Sequence, residues 1–352
     1  MTRSIDFAPL TTPGTKAEVA AFKASARARR EYARASTTGQ VVLLIFGVAL
    51  IGMFFLFTTR SLFEGISSGM AAGTVILPLV LVGAVVLVVL TRRFLVGGRW
   101  ARWYRLDRFA TANGMLFSPA DDDPSYPGSI FASGRSRIAL DHFRSATGRF
   151  LDYGNYRYVT GSGKSQTTHN WGFLAFNLDR ALPHMVLDSR ANNGLFGGTN
   201  LPAVFAKNQV LHLEGDFDQY FTLYCPKEYE RDALYVFTPD LMALLIDNAA
   251  PFDVEIIDTW MFVYSSSRLD VTEPAVHDRL LRIVDTVGAK TLTQTDRYVD
   301  ERVANFSANV VAPQGQRLKR GFSLGAVLVV VIALGIWLAP VVFDAIETIS
   351  GR

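Results

Sequence analysis

Three runs along the chain carry almost nothing but apolar side chains: Val41 to Phe57, about Ala71 to Leu90, and Phe322 to Phe343. None contains Asp, Glu, Lys, Arg or His. Each approaches the roughly 20 residues that a helix needs to cross a hydrocarbon core of about 30 Å. A buried helix in a water-soluble fold rarely stays this apolar all round, so the pattern predicts three transmembrane helices. The basic clusters all flank the runs on one side, while the loop after the first run carries only Arg60 and Glu64. Lys16, Lys23, Arg27, Arg29, Arg30 and Arg34 precede the first, Arg92, Arg93, Arg99, Arg102, Arg105 and Arg108 follow the second, and Arg317, Lys319 and Arg320 precede the third. The positive-inside rule then places the N-terminus and residues 92–320 in the cytoplasm and the C-terminus outside. Thr58-Thr59-Arg60 offers no small-residue cleavage site, which favours a retained first helix over a signal peptide. The expected organisation is a basic tail (1–38), a helical hairpin (39–91), a cytoplasmic domain (92–320), a third span (321–343) and an external tail (344–352).

Between these runs the periodicity changes. Thr15 to Ala35 has helical character, and Lys16, Lys23, Arg27, Arg30 and Arg34 fall on one face. Such a face is drawn to anionic lipid by about 1 kcal/mol per charge, or is a solvated face that only sets topology. Arg99 to Asn113 reads as an amphipathic helix whose Trp100, Trp103, Tyr104 and Phe109 suit either the headgroup level or the domain core. A turn-rich stretch covers Ser118 to Gly128. Strand signals follow at Ile130–Phe143, Phe150–Thr160, Asn170–Leu178, Gln209–Leu213 and Tyr220–Cys225. Gly161 to Ser165 is a polar hairpin tip. Thr238-Pro239 starts a helix, Asp253–Ile257 and Trp260–Tyr264 suggest a hairpin around Asp258-Thr259, and Pro274 opens a helix carrying Val276, Leu280, Ile283 and Val287. Strands first and helices later predict an α+β domain with a mixed, largely antiparallel sheet.

Composition narrows the function less than the location. The chain has 352 residues, 49% of them hydrophobic, and a mean hydropathy of +0.21. A net charge of +3 is too small to argue for nucleic acid. A single cysteine, Cys225, excludes an internal disulfide framework. Gly163-Lys164-Ser165 suggests a phosphate loop, but the glycine it needs five places earlier is Tyr158. His142, His169, His184, His212 and His277 show no metal-ligand spacing. Cys225 before a short helix (Lys227 to Tyr235) is a candidate nucleophile or a small buried residue, and Asp121 to Asp123 are a candidate cation loop or a solvated turn. Asn305-Phe306-Ser307 matches a glycosylation acceptor by chance. No cofactor or metal is expected.

The stretch Phe217-Asp218-Gln219-Tyr220-Phe221-Thr222-Leu223-Tyr224, continuing through Glu228-Tyr229-Glu230-Arg231-Asp232-Ala233-Leu234-Tyr235 to Phe237-Thr238-Pro239-Asp240-Leu241-Met242, resembles an uncharacterised family of bacterial membrane proteins with a helical hairpin and a cytoplasmic α+β domain. The resemblance implies a bacterial plasma membrane and transfers no catalytic residue. The leading expectation is a membrane-anchored, non-catalytic module that binds a protein partner, a second copy or the anionic inner leaflet. Lys16, Lys23, Arg27, Arg30, Arg34, Trp100, Trp103, Lys164 and Arg231 are its candidate contacts. The alternatives are an enzyme acting on a membrane-proximal substrate, through Cys225, His212 or the aspartates, and an accessory subunit of a transport or secretion assembly.

Overall fold

The structure, a computed structural model, describes residues 5–29, 32, 60, 98–193, 199–305, 307–321, 334 and 336–340. Among them no helix is long and apolar enough to cross a membrane. This corrects the expectation of three transmembrane helices and, with it, the multi-pass plasma-membrane placement. Apolar composition is necessary for a span, but a span also needs an unbroken helix about 30 Å long, and the described residues supply none. The runs 41–57 and 71–90 lie outside the described residues, as does 322–343 except for 334 and 336–340.

What stands is an α+β fold with an antiparallel sheet of seven strands. The strands are β1 (Met115–Asp122), β2 (Arg135–Ser145), β3 (Leu151–Thr160), β4 (Thr167–Ser189), β5 (Val210–Leu211), β6 (Phe221–Tyr224) and β7 (Asp253–Ser265). Their order is β1-β2-β3-β4-β6-β5, with β7 also paired to β4. β4 is 23 residues long. Val186 and Leu187 are paired on both edges, with Tyr224 and Leu223 of β6 and with Glu255 and Val254 of β7. Its residues 171–176 and 181–189 are buried without alternation, which is how a strand covered on both faces reads.

Three local expectations change. The hairpin predicted at Asp258-Thr259 is absent: β7 runs through, and Asp258 takes a φ of 52° beside a shift of register against β4. A short polar side chain tolerates that left-handed backbone, so an irregularity and a turn look alike in sequence. The turn-rich stretch likewise begins as strand β1, and the chain leaves it at Asp123 with φ 49°. Within the expected Thr15–Ala35 helix, the structure gives a helix over Lys16–Ala26, started by a reciprocal cap between Thr15 and Glu18. The polar tip at Gly163–Ser165 does join β3 to β4.

The chain divides into two compact units. The first comprises Met1–Pro124, Ser136–Arg157 and Leu269–Asp278. Its helix over 98–112 buries Trp100, Trp103, Leu106 and Phe109. Phe22 of the Lys16–Ala26 helix meets Trp100 and Tyr104 edge-on at 6.3 and 5.7 Å. Asp6 and Asn113 exchange backbone-to-side-chain hydrogen bonds of 2.9 and 3.0 Å, so the N-terminal segment is pinned to this unit.

The second unit comprises Ser125–Arg135, Tyr158–Arg268 and Arg279–Arg352. Trp260, Phe262 and Tyr264, alternate residues of β7, stack in a ladder at 5.7 and 5.8 Å. Phe131 packs on that ladder and meets Phe173 at 5.4 Å. Residues 204–209 and 319–321 clasp each other, with Gln209 bonding Lys319 through both ends of its amide.

Candidate functional site

Arg231 and Asp232 stand on the first turn of the Glu230–Val236 helix, and Arg297 to Arg302 form the turn after the Ala289–Thr295 helix. Together with Tyr235, Tyr298, Val299 and Glu301 they line a groove of about 240 Å³ on the second unit. Its floor is rigid. The Arg302 guanidinium pairs with Asp232 at 3.0 Å and Asp300 at 3.2 Å, and lies 4.0 Å above the Tyr229 ring. Tyr229 donates to Asp300 at 2.6 Å and Tyr298 donates to Asp232 at 2.8 Å. Burial works to raise the Asp300 carboxyl, but the Ala312 N–H, Tyr229 and Arg302 outweigh it and hold it below the usual range. Gly315 lets this cluster close, because a Cβ there would stand 2.4 Å from the Tyr229 ring.

The rim is different in character. Arg231 is exposed and makes no ion pair among the described residues. Arg297 is 91% exposed and reaches Asp296 only at 3.9 Å. Leu234, Tyr235 and Val299 leave apolar surface in the open beside them. The floor neutralises its own charges, while the rim offers the Arg231 and Arg297 guanidiniums, the Glu301 carboxylate and the apolar surface of Tyr235 and Val299 to solvent. Such a surface can seat a carboxylate-bearing segment with an apolar anchor.

Of the residues singled out by sequence, only Arg231 reaches this groove. Lys16 and Arg27 are exposed, and Lys23 sits 5.9 Å over the Trp100 ring. Trp100 and Trp103 are buried, the latter donating to Asp141 at 3.3 Å. Lys164 is exposed on the hairpin tip. Arg30 and Arg34 lie outside the described residues. The enzyme candidates do not converge. Cys225 is buried, and burial pushes its thiol up to about 12, helped by Glu230 and Asp232, so it is held as an unreactive thiol. His212 pairs with Asp218 at 2.7 Å on the surface, and Asp121 pairs with Arg144.

Tertiary pairing also supplies what spacing concealed. His142 Nδ1 bonds Asp152 at 2.8 Å, with both side chains buried. Its Nε2 is buried without a partner, and the ring lines a pocket of about 430 Å³ on the first unit together with Arg29, Asp107, Asp121 and Arg144. Gly154 permits this approach, since a Cβ there would stand 2.5 Å from the His142 backbone. His142 and Asp152 are separated by 10 residues on neighbouring strands. The signal available in sequence is an alternation pattern that places both on one face of adjacent strands, and it becomes readable only when the register is known. No family model, no curated protein and no solved structure matches this chain.

Proposed function

We propose that this protein is a non-catalytic binding module, and that the Arg231–Arg297 groove docks an acidic segment of a protein partner carrying an apolar anchor. The observation that carries this reading is the contrast between floor and rim. Arg302 is satisfied by two carboxylates, while the rim guanidiniums stand beside exposed Leu234, Tyr235 and Val299. Exposed apolar side chains next to solvent-facing arginines are the composition of a recognition surface. Selection of displayed random peptides on the immobilised full chain is expected to enrich acidic sequences containing an aromatic or aliphatic residue. The double variant Arg231→Glu/Arg297→Glu should weaken the selected peptides by about a hundredfold, about tenfold or 1.4 kcal/mol for each reversed charge. Absence of enrichment, or peptides indifferent to the double variant, would remove the proposal.

A second reading is favoured by one observation, the buried His142–Asp152 pair, whose histidine borders a pocket and whose Nε2 is buried without a partner. In that reading the protein is an enzyme for a small polar molecule, with His142 as proton acceptor oriented by Asp152. A ligand-observed NMR fragment screen should then give hits that His142→Asn abolishes. A screen with no such hits sinks it.

A further inference from the structure

The pocket that His142 borders lies wholly within the first unit, along β1, the end strand of the sheet order. The register sets Ser118 opposite His142 and Leu116 opposite Arg144, and all four line the pocket. Two ion pairs also line it: Arg29 with Asp107 and Arg144 with Asp121, each at 3.4 Å. Both are longer than the roughly 2.7–2.9 Å of a well-made charge-assisted hydrogen bond. Their four side chains are between 23% and 47% exposed, so each pair can exchange its partner at little cost. Arg144 also reaches Asp152 at 3.2 Å, and that buried carboxylate bonds His142 Nδ1 at 2.8 Å.

The lining decides which ligand fits. Its formal charges cancel, two guanidiniums against two carboxylates. A ligand of one sign would engage one member of each pair and leave the other member covered and unpaired, which is unfavourable. A ligand carrying both signs can satisfy guanidinium and carboxylate together. His142 adds an acceptor: with Nδ1 held at a carboxylate, the neutral ring keeps its proton there, and Nε2 is buried without a donor among the described residues. The exposed side chain of Leu116, between Met115 and Phe117, adds an apolar strip. The volume of about 430 Å³ is that of a small-molecule site.

We propose that this pocket binds a small amphoteric molecule of the α-amino-acid class, its carboxylate taken by the arginines and its ammonium by the aspartates. The inference rests on the reading of His142 as part of a small-molecule site and adds the ligand class to it. Guanidiniums match a carboxylate in geometry as well as charge, because their planar donors meet its two oxygens. An ammonium brings three donors, enough for an aspartate and a further acceptor such as the imidazole. An apolar side chain on the ligand finds Leu116.

The test is ligand-observed NMR titration of the full chain with free α-amino acids, their N-acetyl forms and their α-amides. At least one free amino acid is expected to bind, and blocking either its ammonium or its carboxylate should weaken it about tenfold or more. Arg29→Gln and Asp121→Asn change partly exposed side chains and should keep the wild-type Tm. The first should weaken the free amino acid about tenfold and leave the α-amide, which has no carboxylate, unchanged. The second should do the same to the free amino acid and leave the N-acetyl form unchanged. Fragments that bind in a manner abolished by His142→Asn, with no preference for free amino acids, overturn the ligand class and leave the small-molecule site standing. An amino acid that binds indifferently to both rim variants also overturns it, and the rim variants decide the matter should His142→Asn fold poorly. No binding by any compound removes the site and the inference together.

Discussion

Replacing Glu255 by alanine is expected to destabilise the second unit by about 3–5 kcal/mol, the range for removing one partner of a buried charged network. Glu255 lies on β7 at 1% exposure and accepts from three donors: the Tyr264 hydroxyl at 2.7 Å, the Ser129 N–H at 2.8 Å and His184 Nε2 at 2.7 Å. The Leu318 N–H donates to His184 Nδ1 at 3.0 Å. That nitrogen therefore carries no proton, and the ring is neutral, with its hydrogen on Nε2 pointing at the carboxylate. Burial acts to raise the Glu255 carboxyl, yet the three hydrogen bonds outweigh it and hold it below the usual range. Truncation leaves a hydroxyl, a backbone N–H and an imidazole N–H without an acceptor in the core. The network has no room to adjust at Gly128, where a Cβ would stand 2.1 Å from the Tyr264 hydroxyl. Urea unfolding of Glu255→Ala and Glu255→Gln measures the effect, the glutamine variant losing less because it keeps one acceptor. A loss below about 1 kcal/mol for the alanine variant would contradict this account.

The second large effect is an acid-linked loss of stability in the first unit centred on His277. The side chain is fully buried, with Phe109 and Phe143 rings 4.3 and 5.0 Å from its own. Tyr153 lies 2.9 Å from Nδ1 and the Val271 carbonyl 2.8 Å from Nε2. The carbonyl fixes the proton on Nε2, and the tyrosine donates to Nδ1, so this site holds a neutral imidazole. Burial drives its pKa from 6.5 down to about 4, only partly countered by the Val271 carbonyl. A histidine depressed in the native state takes up its proton more readily when unfolded. Its contribution is therefore complete above about 6.5 and is lost as pH falls toward 4. Integrated over that window the loss is about 3 kcal/mol. Denaturation at stepped pH gives the slope, and the imidazole carbon signal of His277 assigns it. That signal should keep its neutral position below pH 6 for as long as the native state persists. An ordinary titration near 6.5 in the folded protein would refute the prediction.

How much of this was legible in the sequence differs from element to element. The α+β character, the β3–β4 tip at Gly163–Ser165, the start of the Pro239–Ala249 helix and that of the Pro274–Ile283 helix follow from periodicity and proline, although the Thr238 side chain makes no cap hydrogen bond. These are local decisions, made by a few neighbouring side chains and the backbone. Arg231 was also named, as an exposed charge within the short Lys227–Tyr235 helix, although its groove needs Arg297 and Tyr298 from far along the chain. Apolar composition alone gave the three expected spans, and the described residues hold no helix that crosses a membrane.

Tertiary structure decided the remainder, because register and long-range pairing have no local signature. Asp258 resembles a turn residue until β7 is seen to continue through it against β4. His142 and Asp152, or His184 and Glu255, become partners only once strands are aligned, since a slip of one residue would turn each side chain to the opposite face. The same alignment brings Asp188 against Asp253. The sequence by itself settled which segments could become helix or strand and which side chains were apolar. The fold decided which charges would be buried together, because burial depends on what the rest of the chain places on the other side.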